Sequence, residues 1–386
     1  MAEATWNFPT RILFGVGAVG DLGTEAKKLG VTRALIVTDP GVTRVGLLDA
    51  VEAPLKAQGI EVACFDQIST NPTEAEARAA ASAFREARAD AVIAVGGGAA
   101  LDVGKMVRIL VTEPLPLEEY DDAIGGDAKM QANFPPMIAV PTTAGTGSEV
   151  GRSAVATLAA TGRKTIFFHP KLIANVAVLD PRMTESLPAK FTAATGFDAL
   201  THAVEAFLAK GDHPMADAIA LKSVSLVGKY LERAVDSPRD LDARGAMLKA
   251  SMMGAVAFQK GLGVCHSLAH PLGAEHDLHH GLANALCLPA VIDFNRSAVP
   301  ARIADVARAL GVRGEDADTL AFECSGAIRA LRHKVGLPDG LSSVGILDEH
   351  ISKLAKLAME DGCHACNPRA CTEHDMEQLY RVSMGG

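Results

Sequence analysis

The sequence lacks any hydrophobic run long enough to cross a lipid bilayer, and its start, Met1 to Thr10, lacks a basic segment followed by an apolar one. It also lacks an excess of basic residues, since 37 lysines and arginines stand against 46 aspartates and glutamates. A nucleic-acid partner is not expected, because a phosphate backbone binds to a basic surface. We predict a cytoplasmic protein that binds neither nucleic acid nor a membrane.

The seven cysteines do not have the pattern of a disulfide framework. Four are scattered along the chain, and the other three, Cys363, Cys366 and Cys371, lie close together near its end. An odd number leaves at least one unpaired, so reduced thiols are expected. The spacing of the last three fits no common zinc module, and a second metal site in that cluster is not expected.

At 386 residues the chain is too long for a single hydrophobic core, which predicts two domains. In the first half, short apolar runs alternate with helix-forming segments such as Glu74–Arg88. Four of these runs are predicted to be buried strands: Ala34–Thr38, Ala91–Val95, Met137–Val140 and Ala177–Leu179. Fully apolar strands that alternate with helices are typical of a parallel sheet covered on both faces.

Beyond Pro188 the pattern changes to long stretches of helix-forming residues without a convincing strand. Examples are Ala194–Ala209, Met215–Ala234 and Ala243–Phe258. We therefore predict an α/β domain with a Rossmann-like parallel sheet over residues 1–187, followed by an all-α domain over residues 188–386.

Two glycine clusters compete for the role of a phosphate-binding loop. The first, Gly15–Gly20, has the spacing G-x-G-x-x-G, which recurs by chance in a chain with 36 glycines. The second, formed by Gly96, Gly97 and Gly98, lies between a strongly apolar predicted strand and a predicted helix. There the backbone can approach a pyrophosphate closely, and the helix start offers free N–H groups. We predict that the second cluster binds a dinucleotide and that the first is a turn.

A third polar loop follows an apolar strand and contains Thr142, Thr143 and Thr146. Its hydroxyl groups and glycines are suited to the nicotinamide half of a dinucleotide. Asp39 ends another predicted strand, where a carboxylate accepts hydrogen bonds from both ribose hydroxyls and repels a 2′-phosphate. NAD is therefore predicted rather than NADP. The alternative role for Asp39 is a helix N-cap ahead of Pro40.

Histidines and a carboxylate recur at helical spacing in the second half of the chain. Asp198 and His202 are four residues apart, His266 and His270 repeat that spacing, and His280 follows. Residues four apart on a helix share one face. A carboxylate with three imidazoles suits Fe²⁺ or Zn²⁺. The spacing by itself is only suggestive, because most histidines are ordinary surface or core residues.

The segments around these residues resemble the iron-containing (group III) alcohol dehydrogenase family. The resemblance covers nearly the whole chain in order, through Asn71–Thr73, Gly96–Gly98 with Asp102 and Lys105, Pro141–Glu149, Gly196–Ala206, His266–Ala274 and His280–Ala285. It implies the two-domain fold that this family shares with dehydroquinate synthase. It also implies an NAD-dependent enzyme that interconverts a small alcohol and its aldehyde or ketone.

The resemblance assigns roles in the second domain. One divalent metal ion, Fe²⁺ in the first instance and Zn²⁺ as the alternative, is expected on Asp198, His202, His266 and His280. The ion would act as a Lewis acid on the substrate oxygen. His270 is expected beside the nicotinamide and is predicted to be a catalytic residue that relays a proton.

Other expected contacts are spread along the chain. Asp102, like the glycines before it, is expected to contact NAD, and Lys164 is expected near its adenosine side. Ser153, Phe258 and Cys363 are predicted to line the substrate pocket. Members of the family are usually at least dimeric, so a homodimer or a larger homo-oligomer is expected.

The chain departs from the family pattern at two positions. Ala99 stands where a serine usually follows the three glycines, and Gly104 replaces a common alanine. Loss of the serine hydroxyl is expected to weaken phosphate binding by about 1 kcal/mol, the net contribution of one hydrogen bond. Neither change affects the expected metal ligands.

Two alternative functions use the same fold. A zinc polyol dehydrogenase of the glycerol dehydrogenase type has a three-residue ligand set. A dehydroquinate synthase-like lyase uses NAD and a metal ion for elimination chemistry. The lyases resemble this chain poorly around the ligands and need a dense basic set for a phosphorylated substrate.

Overall fold

The structure is a computed structural model that describes residues 10–385. The chain divides into two compact units. Residues 10–143 and 147–186 form the first unit, and residues 144–146 and 187–385 form the second. The first contains parallel strands and their connecting helices, and the second is built from helices.

The strands of the first unit form two sheets within the described residues. They are β1 (Arg11–Phe14), β2 (Arg33–Val37), β3 (Glu61–Phe65), β4 (Ala91–Gly96), β5 (Met137–Pro141), β6 (Ser153–Thr157), β7 (Lys164–Phe168) and β8 (Val176–Leu179). Six of them make a parallel sheet in the order β1-β8-β5-β4-β2-β3. The other two, β6 and β7, pair in antiparallel fashion.

The four apolar runs predicted as strands correspond to β2, β4, β5 and β8, with bounds that differ by one residue. All residues of β4 are buried. Successive side chains of a strand point to opposite faces, and both faces are covered here. Leu35 and Val92 pack into one apolar cluster, whereas Ile36 and Ile93 pack into the other. The predicted parallel sheet with helices on both faces is confirmed.

The helices of the first unit connect successive strands. They are α1 (Leu22–Lys28), α2 (Pro40–Arg44), α3 (Leu48–Ala57), α4 (Glu74–Glu86) and α5 (Gly98–Thr112). A capping box starts α4, because Thr73 Oγ1 accepts from the Glu76 N–H while Glu76 Oε2 accepts from the Thr73 N–H. In contrast, α5 follows β4 directly with Gly97 at its N-cap, so no side chain caps its first N–H groups.

The second unit contains helices and no strand among its described residues. They are α6 (Ala189–Leu208), α7 (Pro214–Asp236), α8 (Leu241–Ala257), α9 (Val264–His276), α10 (His280–Asn295), α11 (Pro300–Leu310), α12 (Ala317–Lys334), α13 (Ile351–Glu360) and α14 (Glu373–Met384). The central one is α6, which packs against α7, α8 and α10 and is buried continuously from Thr192 to Leu208. None of the described helices is both long and apolar enough to cross a membrane.

Candidate active site

A cluster of one carboxylate and three imidazoles lies inside the second unit. Asp198 and His202 are one turn apart on α6, His266 is near the start of α9, and His280 is the first residue of α10. One potential ligand atom from each lies within 4.8 Å of the others. Asp198 Oδ1 is 3.3 Å from His280 Nε2 and 4.0 Å from His202 Nε2. With metal–ligand bonds of about 2.1 Å, neighbouring ligand atoms are about 3–3.5 Å apart, so a single cation fits this spacing.

The ionisation states of the cluster also fit a divalent cation. Burial raises the pKa of Asp198, but the neighbouring imidazoles and an amide donor outweigh burial and bring it to about 2. Burial and the neighbouring imidazoles hold the pKa of His266 well below its usual value. The pKa of His280 is lowered in the same way. An ionised carboxylate with neutral imidazoles offers the lone pairs that Fe²⁺ or Zn²⁺ binds.

The amide of Asn284 shows that these lone pairs converge. Its Nδ2 donates to Asp198 Oδ1 at 2.9 Å and lies 3.2 Å from His280 Nε2 and 3.4 Å from His266 Nε2. Three candidate ligand atoms therefore point toward one small region. Asn284 is one turn after His280 on α10, and the sequence prediction missed it because an amide is not a usual ligand of Fe²⁺ or Zn²⁺.

The side chain of Glu205 contacts Nδ1 of the His266 ring, the nitrogen that is not the candidate ligand atom. This carboxylate is three residues after His202 on α6, is 3% exposed, and lies 2.6 Å from His266 Nδ1. Burial raises the pKa of Glu205 to about 7, against the opposing effect of the backbone N–H groups that donate to it. Sequence reasoning missed Glu205 too, because a glutamate in a helix is usually a surface residue.

His270 lies beside the cluster and has a different partner. Its Nδ1 is 2.7 Å from Asp361 Oδ2, and its ring stacks on His280 with centroids 5.3 Å apart. Its side chain is 36% exposed, whereas that of His266 is 1% exposed. Burial raises the pKa of Asp361, but the hydrogen bonds and charge of His270 and its other donors bring it well below the usual range. This arrangement leaves His270 Nε2 available for proton exchange.

Two of the predicted pocket residues also belong to the second unit. The Phe258 ring lies 5.1 Å from the His202 ring, so it borders the cluster. Cys363 forms a small group with His270 and Asp361. Burial and the Asp361 carboxylate raise the pKa of the Cys363 thiol well above its usual value. The thiol is therefore protonated at neutral pH.

In the first unit, the predicted phosphate loop connects β4 to α5. Gly96 has φ near +150°, a conformation that favours glycine. A Cβ on Gly97 would lie 3.3 Å from Thr143 Cγ2, and the Thr142 N–H donates to the Gly96 carbonyl at 2.9 Å. The glycine loop and the threonine loop thus lie side by side. The N–H groups at the start of α5 lie beside them and are capped by no side chain.

The two carboxylates predicted to contact NAD also have structural partners. Asp39 Oδ1 accepts from the N–H groups of Gly41 and Val42, which is the N-cap alternative, while Oδ2 faces Gly96. Asp102 accepts from Ser148 Oγ at 2.6 Å and from the Val155 N–H at 3.2 Å. Both therefore hold the loops in place.

Three further predicted residues are Ser153, Lys164 and Thr146. Lys105 Nζ donates to the Ser153 carbonyl at 2.6 Å, which fixes the start of β6. Lys164 begins β7 and donates to Asn71 Oδ1 at 2.9 Å. Thr146 groups with the second unit, where a Cβ on the preceding Gly145 would lie 2.7 Å from Thr195 Cβ.

Comparison with known proteins identifies the family. Residues 9–181 match the family "Iron-containing alcohol dehydrogenase", and residues 192–384 match "Fe-containing alcohol dehydrogenase family, C-terminal". The chain is 42% identical to 4-hydroxybutyrate dehydrogenase of Cupriavidus necator over 97% of this chain and 98% of the relative. It is 35% identical to NAD-dependent methanol dehydrogenase of Bacillus methanolicus over 97% of this chain and 98% of the relative. The crystal structure of a 1,3-propanediol oxidoreductase superimposes with a TM-score of 0.95 and 35% identity, covering 99% of this chain and 100% of that one.

The chain therefore belongs to the iron-containing alcohol dehydrogenase family. It is an NAD-dependent, metal-containing oxidoreductase that interconverts a small alcohol and its carbonyl compound. This confirms the reaction class and cofactors predicted from the sequence. The polyol dehydrogenase and lyase alternatives are not favoured.

Proposed function

We propose that the reaction takes place at one divalent metal ion, Fe²⁺ in preference to Zn²⁺, held by Asp198, His202, His266 and His280. The observation that carries this proposal is the convergence of their ligand atoms within 4.8 Å in the interior of the second unit. When bound, the cation supplies a Lewis acid for the oxygen of the alcohol or carbonyl compound. Buried Asp198 and His266 fix the site, and the more exposed His280 marks the side from which substrate approaches.

We also propose that His270 is the catalytic residue that moves the proton. Asp361 is hydrogen-bonded to Nδ1 of the His270 ring, so Nε2 is the atom that exchanges a proton with substrate or solvent. Its partial exposure supports this role, because a proton relay needs contact with water. Phe258 and Cys363 would line the substrate pocket beside His270, and Ser153 stays a predicted pocket residue.

For the cofactor we propose that residues 1–187 bind NAD and that residues 188–386 carry the metal. Gly96, Gly97 and Gly98 would receive the pyrophosphate at the start of α5. Asp39 would hold the ribose, and NAD is preferred over NADP for that reason. The remaining contacts would come from Asp102, Thr142, Thr143, Thr146 and Lys164.

The substrate that we propose is a short aldehyde bearing a carboxylate, and its alcohol. The support is the 42% identity to 4-hydroxybutyrate dehydrogenase, together with Arg152 next to Ser153. Burial lowers the pKa of Arg152, and its guanidinium lies 5.3 Å from the Phe168 ring centroid. Arg152→Ala is expected to raise KM for a four-carbon aldehyde acid and to leave KM for the uncharged four-carbon aldehyde unchanged.

We further propose a cytoplasmic enzyme that is at least dimeric. All seven cysteines are free thiols, as expected in a reducing compartment, and NAD(H) is an intracellular redox cofactor. Oligomeric state is measured by light scattering of the purified protein.

The function is tested by anaerobic purification, metal analysis and NADH consumption with a set of aldehydes, hydroxyaldehydes and dihydroxyacetone. A chelator is expected to abolish activity, and Fe²⁺ is expected to restore it in wild type but not in Asp198→Asn. Preference for dihydroxyacetone would favour the polyol alternative. A protein that binds metal and NAD but consumes no NADH with any carbonyl compound would overturn the proposed redox reaction.

A further inference from the structure

The start of α9 has no cap of its own. Gly263 stands at the N-cap without a side chain, and Val264, Cys265 and His266 are at most 1% exposed. The N–H groups of a helix start have no partner within the helix, and water does not reach them here. Side chains from elsewhere in the second unit must therefore accept their hydrogen bonds.

Glu205 of α6 supplies most of the acceptors. Its Oε1 accepts from the Cys265 N–H at 2.6 Å, and its Oε2 accepts from the His266 N–H at 3.3 Å. Asn367 Oδ1 lies 3.4 Å from the Val264 nitrogen and accepts from it. A Cβ on Gly263 would lie 2.7 Å from Glu205 Oε1 and 2.9 Å from Asn367 Oδ1, so glycine permits this approach.

The same carboxylate determines which nitrogen of His266 carries the proton. Glu205 Oε2 lies 2.6 Å from His266 Nδ1, and both oxygens of this carboxylate already accept from backbone N–H groups of α9. Nδ1 is thus protonated, and the lone pair is on Nε2, which faces the cluster 3.4 Å from Asn284 Nδ2. The His266 ring is also stacked on His202, with centroids 4.7 Å apart. Its orientation is fixed on both sides.

We propose that Glu205 is a positioning residue that sets the metal affinity of the site through His266. This inference rests on the proposed metal centre. The carboxylate selects the tautomer with a free Nε2 and, through its negative charge, strengthens that nitrogen as a ligand. It is held in place by the backbone of α9, so it cannot turn away from the ring.

The substitution Glu205→Gln reverses this hydrogen bond. Its single carbonyl oxygen takes the backbone N–H donors, and its NH₂ group then donates to His266 Nδ1, which moves the ring proton to Nε2. We expect the dissociation constant of Co²⁺ or Zn²⁺ to rise by about 10- to 100-fold, the usual effect of losing such a partner. It is measured in competition with a chromophoric chelator.

The matched control contacts the same helix, although Asp361 itself follows α13. Asp361→Asn alters the other carboxylate–imidazole pair of α9, on a histidine outside the proposed ligand set, and is expected to leave the dissociation constant unchanged. Asn367→Ala removes one cap of α9 without affecting His266. It is expected to lower the melting temperature of the metal-free protein and to leave metal affinity unchanged.

The outcomes separate the inference from the proposed function. If Asp198→Asn binds metal as tightly as wild type, the metal centre itself is wrong. If Asp198→Asn loses metal but Glu205→Gln binds as tightly as wild type, the role of Glu205 alone is overturned. An equal loss of metal affinity in Glu205→Gln and Asn367→Ala would show that Glu205 acts only as a helix cap.

Should Glu205→Gln fail to fold, Glu205→Asp gives the same comparison. It keeps the negative charge on a side chain that is one methylene shorter. Weaker binding than wild type supports the inference, and unchanged binding overturns it. The absorption spectrum of bound Co²⁺ provides a further readout, because it changes with ligand geometry and is independent of turnover.

Discussion

At the scale of single residues, two histidines on α9 show how environment separates two roles. His266 and His270 each have a carboxylate within 2.7 Å of Nδ1. The first ring is buried among the candidate ligands, and its Nε2 faces the other candidate ligand atoms. The second is 36% exposed, so its free nitrogen reaches solvent. In the proposed assignment, burial therefore separates a metal ligand from a proton-transfer residue when the chemical pair is the same.

Replacing His270 with alanine tests that division. We expect kcat to fall about 100-fold or more, the usual contribution of a general acid or base, because the proton loses its route. Metal content is expected to remain near that of wild type, since His270 is outside the ligand set. Steady-state kinetics and metal analysis measure the two effects. Loss of the metal in this variant would show that His270 is a ligand.

His266 predicts a pH dependence of stability in the metal-free protein. Its pKa is lowered in the folded state, so below about pH 6.5 the unfolded chain takes up a proton that the folded chain does not. The contribution of His266 to the free energy of unfolding is therefore complete above that pH. As the pH decreases below it, the free energy of unfolding falls by up to about 1.4 kcal/mol per pH unit. Urea unfolding at several pH values is expected to show a smaller decrease in His266→Asn. The same decrease in both proteins would contradict the assignment.

Sequence spacing located Asp198 and His202 because one helical turn separates them. It did not locate Glu205 or Asp361, whose partners are 61 and 91 residues away along the chain. Such contacts arise only when α6, α9 and the segment after α13 pack together. Asp198 and His202 have a local pattern, whereas Glu205 and Asp361, which contact the two imidazoles of α9, do not.

At the scale of elements, the strands differ in how clearly the sequence marks them. Central strands such as β4 are apolar throughout because both of their faces are covered. The edge strands β1 and β3 are only partly buried, and each places a charged residue, Arg11 or Glu61, before a short apolar run. Both were absent from the predicted strands for this reason.

The connection from β4 to α5 supports a prediction on cofactor binding. Gly97→Ala places a methyl group 3.3 Å from Thr143 Cγ2, in the space where the backbone would approach the pyrophosphate. We expect the dissociation constant of NADH to rise about tenfold, equivalent to about 1.4 kcal/mol, with metal content unchanged. Fluorescence titration of NADH measures the effect.

Gly20→Ala is the matched control for that variant. Gly20 belongs to the first glycine cluster, has no atom within 4 Å of an added Cβ, and does not have a positive φ. NADH affinity is expected to be unchanged, because the cluster is a turn between β1 and α1. A larger rise of the NADH dissociation constant in Gly20→Ala than in Gly97→Ala would show that the first cluster binds the phosphates.

At the scale of the whole molecule, the proposed metal ligands link three helices of one unit, because they come from α6, α9 and α10. A cation that binds only the folded state stabilises it by about 2.7 kcal/mol when free metal is 100 times its dissociation constant. For a unit of this size that corresponds to roughly 5–10 °C in Tm. We expect a chelator to lower the Tm of wild type by this amount and to leave Asp198→Asn unaffected in differential scanning calorimetry. An equal shift in both proteins would mean that the stabilising metal lies elsewhere.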